Sequence, residues 1–323
     1  MNKVFITRQI PEAGLNILQN EFTVRVNRQE RPLQKAELME EISNATALYC
    51  MLVDRIDREV LEAAPDLKVV ANMAVGVDNI DIPACTEHGI VVTNTPGVLT
   101  EATADLAWAL ILAVSRRIVE GDRFVREGKF NGWAPLLLVG GDFCGTTLGI
   151  IGMGRIGQAV ARRSRGFGMQ IVYNQRHRLP QEVEEELQAT YLPLEDVIRQ
   201  ADYLTLHLPY YPEVHHLLNR ERLQLLKPTA YLINTARGAH VDEEVLIEHL
   251  RADKIAGAGF DVYEHEPRLS PGLTELENVV LAPHTGSASV WTRRTMAEMC
   301  AQNITQVLNG RRPEHVVNPE VYS

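Results

Sequence analysis

Thr147-Leu148-Gly149-Ile150-Ile151-Gly152-Met153-Gly154-Arg155-Ile156-Gly157-Gln158-Ala159-Val160-Ala161-Arg162-Arg163 runs from an apolar segment through G-x-G-x-x-G into a helical pattern. Leu148 to Ile151 is short, apolar and bounded by turn signals, as a strand buried on both faces should be. Gly152 permits a tight turn, Gly154 lets the backbone approach a pyrophosphate, and Gly157 lets the new helix pack closely on the strand. Amides of the helix's first turn, near Arg155 and Ile156, would face phosphates with the positive end of the helix dipole. A second strand is predicted at Met169 to Tyr173, after Gly166-Phe167-Gly168 breaks the helix. That strand–turn–helix–strand context reads as a dinucleotide site rather than an isolated Gly-rich turn.

An acidic residue for the ribose 2′-hydroxyl of NAD is expected about twenty residues on, at the end of the second strand. The residues there are Tyr173-Asn174-Gln175-Arg176-His177-Arg178, neutral and then basic. A 2′-phosphate wants a positive, bidentate donor and is repelled by a carboxylate. The stretch therefore favours NADP(H), with NAD(H) possible, and makes Arg176 the leading contact and Arg178 the second.

The 323 residues, 45% hydrophobic and 23% charged, suit an ordinary soluble protein with room for two cores. With 42 acidic against 32 basic residues the net charge is −10, which argues against a nucleic-acid partner. Cys50, Cys85, Cys144 and Cys300 are scattered without paired spacing, so reduced thiols and no metal site are expected. The chain starts directly as a strand, with no leader pattern, and its longest apolar run, Leu106 to Val114, is too short to span a membrane. A cytoplasmic protein is the expectation.

Strands are predicted at Lys3 to Thr7, Phe22 to Val26, Ala47 to Met51 and Leu67 to Asn72, with helices from Pro11, Gln34 and Arg58 between them. Such alternation implies a doubly wound parallel sheet, a small flavodoxin-like α/β domain over residues 1–99. Past its fourth strand, the N–H groups of Val75 and Gly76 are candidates to hold an anion, since ligands bind outside the carboxyl ends of parallel strands. A helix from Thr100 through Ile118, apolar nearly all round up to Val114, suits a domain junction with a subunit interface or, equally, a purely intradomain core. Glu182 to Gln188 reads as an acidic helix with a solvated face, and Asp242-Glu243-Glu244 as an N-cap with first-turn acids. Further strands, Ala201 to Leu206, Ala230 to Ile233, Ile255 to Phe260 and Val279 to Leu281, deliver His207-Leu208-Pro209, Asn234 to Gly238, Asp261 to Pro267 and Ala282 to Ser287. A helix from Ser289 to Leu308 and a closing segment would return to the first domain. The expected division is thus 1–99 with 288–323 as a discontinuous substrate domain, and 100–287 as an inserted Rossmann domain.

Arg237, Glu266 and His284 each stand just past a predicted strand of one sheet, so they can converge at its carboxyl edge. With the Gly motif, Val75-Gly76-Val77-Asp78-Asn79-Ile80-Asp81, Thr93 to Asp105, Asn234 to Gly238, Asp261 to Pro267 and Pro283 to Ser287, they make the chain resemble the D-isomer-specific 2-hydroxyacid dehydrogenases over nearly its whole length. Within that family it looks most like the glyoxylate and hydroxypyruvate reductases, on Trp133 to Thr147 and the basic stretch after Tyr173. Phosphoglycerate dehydrogenases usually carry a further domain, and formate dehydrogenases have Gln where Glu266 stands.

The resemblance implies hydride transfer from a reduced nicotinamide to a short 2-oxo acid such as glyoxylate or hydroxypyruvate, giving the D-2-hydroxy acid. It implies that Arg237 orients carboxylate and carbonyl oxygens, that His284 is the general acid, and that Glu266 fixes its tautomer, with Glu264 and His265 as possible stand-ins for their neighbours. Val75 and Gly76 would donate to the substrate carboxylate. Cofactor contacts would come from Thr103, Gly152, Gly154, Arg155, Ile156, Gly157, Gln175, Arg176, His207, Pro209, Thr235, Ala236, Asp261 and Gly286. Trp133 lies in a segment like one that reaches the neighbouring subunit's pocket in related reductases, and a homodimer is expected. The alternatives are a 2-ketogluconate or D-lactate type of dehydrogenase, and a nicotinamide-sensing binding protein like the co-repressors that share the fold.

Overall fold

The computed structural model describes residues 2–323. The chain divides into two compact units: one runs to Leu99 and resumes at Ser287–Ser323, the other is Thr100–Gly286.

The first unit opens with β1 (Lys3–Ile6), α1 (Glu12–Gln19), β2 (Thr23–Val26), α2 (Lys35–Ile42), β3 (Ala47–Cys50), α3 (Arg58–Glu62), β4 (Val69–Asn72), α4 (Ile82–Glu87) and β5 (Val91–Thr93). Its strands are all parallel in the order β2-β1-β3-β4-β5. Every residue of β3, β4 and β5 is buried, which is why they read as unbroken apolar runs rather than alternating ones. Asp57 and Asp81 cap α3 and α4 by accepting from Val60 N and Ala84 N. Strand β5 is only three residues long, too short for any periodicity to announce it.

The second unit comprises α5 (Thr100–Ser115), α6 (Ile118–Arg126), β6 (Thr147–Ile151), α7 (Arg155–Ser164), β7 (Gln170–Asn174), α8 (Gln181–Leu187), β8 (Ala189–Tyr191), α9 (Leu194–Gln200), β9 (Tyr203–Leu206), α10 (Arg220–Leu223), β10 (Tyr231–Asn234), α11 (Glu243–Arg251), β11 (Gly257–Phe260) and β12 (Val279–Leu281). The sheet order is β12-β11-β10-β9-β6-β7-β8, all parallel. The order reverses direction at β6, so the Gly-rich turn after β6 lies at the topological switch point where α/β sheets bind ligands. Both units are thus doubly wound parallel α/β folds.

Two expectations change here. The helix from Thr100 stops at Ser115: Arg117 takes a left-handed backbone (φ 53) and starts α6. The apolar girth of α5 is used inside its own unit, where it packs against α7, β10 and β11 and buries Ala104, Ala107, Trp108, Leu110 and Ile111. The acidic helix α8 is not solvated all along either. Glu184 is 6% exposed, accepts from Tyr173 Oη at 2.5 Å and pairs with Arg178 at 2.7 Å. Arg178 is therefore engaged within the protein.

The last helix, α12 (Val290–Leu308), belongs to the first unit and lies on α1, β3 and β4. The closing segment follows β5, with Val316 bridged to Thr93. Asn318, 1% exposed, accepts from Val92 N at 2.8 Å and donates to Ile90 O at 2.9 Å and Thr86 Oγ1 at 3.0 Å. Among the described residues no helix is long and apolar enough to cross a membrane. An Asn318→Ala variant strands a buried amide and a buried carbonyl, which costs about 1–3 kcal/mol per group. Hydrogen exchange at the Val92 amide should then accelerate roughly tenfold or more; an unchanged rate would mean that the segment does not secure β5.

Candidate active site

The Gly-rich turn is built by close approach. Gly152 has φ 92, and a side chain there would put Cβ 2.5 Å from the carbonyl oxygen of His207. A Cβ on Gly157 would sit 2.2 Å from the Gly152 oxygen, so α7 can start only where no side chain intervenes. Around Gly154, by contrast, a Cβ would meet nothing within 4 Å, and α7 begins with no side-chain cap. Open space beside the uncapped first-turn amides of Arg155, Ile156 and Gly157 fits a pyrophosphate. These residues can therefore hold a dinucleotide.

At the end of β7, Gln175 stands where an acid is expected for NAD. Its Oε1 accepts from Met153 N at 3.1 Å and its Nε2 donates to His177 O at 2.6 Å, which ties the Gly turn to the neighbouring strand end. Arg176 is exposed and lies over the Tyr211 ring, 5.0 Å from its centroid. Pro209, in the same β9 loop, is exposed. His207 is buried: its Nε2 meets Thr205 Oγ1 at 2.9 Å, and desolvation pushes its pKa down to about 3. Its imidazole is a neutral core group, and its backbone is what borders the turn.

The edge formed by β10, β11 and β12 gathers the other candidates. Asn234, fully buried, accepts from Ala236 N at 3.0 Å and donates to Arg237 O at 2.8 Å, shaping the Thr235–Arg237 turn. Arg237 Nη1 donates to Ala236 O at 2.8 Å. His284 Nδ1 lies 2.9 Å from Glu266 Oε2, and Glu266 Oε1 accepts from Tyr263 N at 2.9 Å. Glu264 points elsewhere, to His216, and so does not replace Glu266. Burial works to raise the Glu266 pKa, but the His284 hydrogen bond and charge, the Tyr263 amide and the Arg237 charge outweigh it and hold the carboxyl below its ordinary value.

Asp261 anchors the turn that carries His284. Its carboxylate, 1% exposed, accepts from Thr285 N at 2.6 Å and Gly286 N at 2.7 Å, and its carbonyl accepts from His284 N at 2.9 Å. It shapes the His284 turn with both carboxylate oxygens. Burial keeps its pKa above the ordinary carboxylate value. Thr103 on α5 lies against Gly286, where an added Cβ would be 3.5 Å from the threonine Oγ1.

In the first unit, the carbonyls of Val75 and Gly76 accept from Asn94 Nδ2 at 2.8 Å and Asn72 Nδ2 at 2.9 Å. Their N–H groups have no backbone acceptor among the described residues. Asn72 and Asn234 bond within their own turns, a local pattern too common to single them out, whereas the partners of the Asp261 side chain, Thr285 and Gly286, lie on the loop after β12.

A parallel sheet with a glycine-cradled helix start at its switch point, beside an Arg and a Glu–His pair on its carboxyl edge, defines a nicotinamide-dependent oxidoreductase. Residues 108–286 match the profile of the D-isomer specific 2-hydroxyacid dehydrogenase NAD-binding domain. A glyoxylate reductase of Thermococcus onnurineus is 51% identical over 99% of this chain and 96% of its own. A solved Thermus thermophilus protein superposes with a TM-score of 0.92 at 49% identity, covering 98% of this chain and 99% of that one. The NADPH-dependent glyoxylate/hydroxypyruvate reductase of Sinorhizobium meliloti, solved with NADP and malonate, gives 0.87 at 32% identity over 99% and 97% of the two chains. The chain belongs to the D-isomer-specific 2-hydroxyacid dehydrogenase family.

His207 makes a pH prediction. The unfolded imidazole takes its proton near 6.5 and the folded one only near 3. Its contribution is therefore complete above pH 6.5 and is lost as the pH falls toward 3, by at most about 1.4 kcal/mol per pH unit. A His207→Gln variant should show a shallower fall of melting temperature between pH 6.5 and 4; identical slopes would place the imidazole's proton affinity near its ordinary value.

Proposed function

We propose that this protein reduces glyoxylate and hydroxypyruvate to the corresponding 2-hydroxy acids with NADPH. The observation that carries the reading is the 2.9 Å Glu266–His284 pair, with the Arg237 charge acting on Glu266. Similarity to glyoxylate reductases over the whole chain supports the substrate class. The first unit serves as the substrate domain and the second as the cofactor domain.

The reduced nicotinamide, when bound, supplies the hydride to the keto carbon. Arg237 holds the substrate's oxygens with its planar fork and stabilises the charge that develops on the carbonyl oxygen. Because Glu266 occupies Nδ1 of His284, the proton for that oxygen leaves from Nε2. Glu266 stabilises the imidazolium before the transfer and fixes the tautomer after it. The amides of Val75 and Gly76 bind the substrate carboxylate.

NADPH preference rests on Gln175 in place of an acid and on Arg176, held over Tyr211. A homodimer rests on the apolar surface of α6 and the loop after it. Trp133 is 85% exposed and Leu136 86%, with Phe130, Val139, Ile118 and Val125 exposed around them. Light scattering should give twice the mass of one chain; a single-chain mass would overturn the dimer.

Nicotinamide oxidation followed by absorbance with glyoxylate, hydroxypyruvate and pyruvate should show faster turnover of the first two, and with NADPH over NADH. Arg176→Ala should raise KM for NADPH roughly tenfold or more, the scale of one charge-assisted hydrogen bond, with little change for NADH. His284→Ala should lower kcat by roughly a hundredfold or more. Near-normal turnover in a folded His284→Ala protein removes the general-acid assignment, and no turnover of any keto acid removes the enzyme reading.

A further inference from the structure

Glu266 must face His284, yet it sits in an irregular stretch between β11 and β12 in which residues 265–269 are exposed. Exposed chain of this kind keeps its conformational freedom unless something buried holds it. Glu243, the first residue of α11, is 1% exposed and reaches that stretch from below. Its Oε1 accepts from Glu264 N at 2.8 Å and its Oε2 accepts from Ser270 Oγ at 2.5 Å. The two bonds grip the chain on either side of Glu266.

A second tie leaves from the same point. The Glu264 carboxylate meets His216 Nε2 at 2.6 Å, and His216 N donates to Ala239 O at 2.8 Å, in the turn that follows Arg237. That turn already presses on the Glu266 stretch, since a Cβ on Gly238 would lie 1.9 Å from the Tyr263 carbonyl carbon. His215 stacks on His216 at 4.1 Å and 18°.

We propose that Glu243 is a positioning residue of the reaction: by bonding Glu264 and Ser270 it fixes the loop that sets Glu266 against His284. The inference rests on the reading of Glu266 and His284 given above. The charged groups facing Glu243 are Glu264 and His265; burial, the largest influence, keeps its pKa above the ordinary glutamate value despite the two hydrogen bonds.

The test compares Glu243→Ala, Glu243→Gln and Ser270→Ala with Glu266→Gln. Glu243→Ala removes both grips and should lower kcat roughly tenfold to a hundredfold, the scale of a misplacement of about 1 Å, while NADPH affinity, read by quenching of protein fluorescence, stays within about twofold. Glutamine can still accept from Glu264 N and donate to Ser270 Oγ, so Glu243→Gln should recover most of the turnover. Should Glu243→Ala not fold, Ser270→Ala cuts one grip alone and should lower kcat severalfold. Adding Ser270→Ala to Glu266→Gln should cost nothing further, because the loop then has no carboxylate to aim. Wild-type kcat in folded Glu243→Ala, or in Ser270→Ala, overturns the proposal, as does full additivity in the double variant. If Glu266→Gln itself keeps wild-type turnover, the Glu266–His284 reading fails instead; loss in Glu266→Gln with wild-type turnover in the Glu243 and Ser270 variants isolates the failure to the positioning role.

Discussion

One buried carboxylate organises the edge on which the chemistry is placed. Asp261, just past β11, takes the N–H groups of Thr285 and Gly286 on its side chain and that of His284 on its carbonyl. His284 has a left-handed backbone, φ 54, a conformation that residues with a side chain adopt uncommonly and that contacts of the surroundings, an imposition from outside the residue, can secure. The convergence of three successive donors on Asp261 is that imposition. Without it, the turn after β12 would lose its hydrogen-bonding partner on the buried side, at Gly286. The direction of His284, and so the atom it can offer a substrate, follows from a residue on the neighbouring strand.

The same arrangement recurs at strand ends within each unit. Asn234 shapes the turn after β10, Gln175 ties the Gly turn to the end of β7, and Asn72 and Asn94 fix the carbonyls after β4. Parallel strands end in orphan backbone groups, and a short polar side chain can satisfy several of them at once. The sheets provide rigid rows of ends, and the amides and carboxylates convert those ends into defined loops. Rigid loops on a rigid sheet are what allow a few side chains to hold reacting atoms without paying for ordering during the reaction.

Much of the fold was legible because buried parallel strands are apolar runs separated by helices, and because G-x-G-x-x-G has one good structural use in that setting. Arg237, Glu266 and His284 could be set at strand ends for the same reason. What failed had local causes. The break between α5 and α6 lies in Arg116-Arg117, a pair that favours helix by propensity and gives no stop signal. Strands β5 and β8 are too short to show a period. Glu184 and Glu243 look like solvated first-turn acids in sequence, and only the return of Tyr173, Arg178, Ser270 and the Glu264 amide from other elements makes them buried anchors. For Asp261, His207 and Gln175 the positions were found, but the direction of each side chain depends on contacts that no local pattern encodes.

The partners of the three carboxylates on this edge separate their tasks. Asp261 and Glu243 are held by neutral N–H and O–H donors, so desolvation dominates and both have raised pKa values. The charges of His284 on Asp261 and of His265 on Glu243 act in the opposite direction and are outweighed by burial. Glu266 instead faces a titratable imidazole and the field of Arg237, and its pKa is lowered although desolvation acts to raise it. A carboxyl kept ionised in this way keeps its negative charge facing the His284 ring. The division between holding the loop and stabilising the charge thus follows from whether the opposing donor can itself titrate.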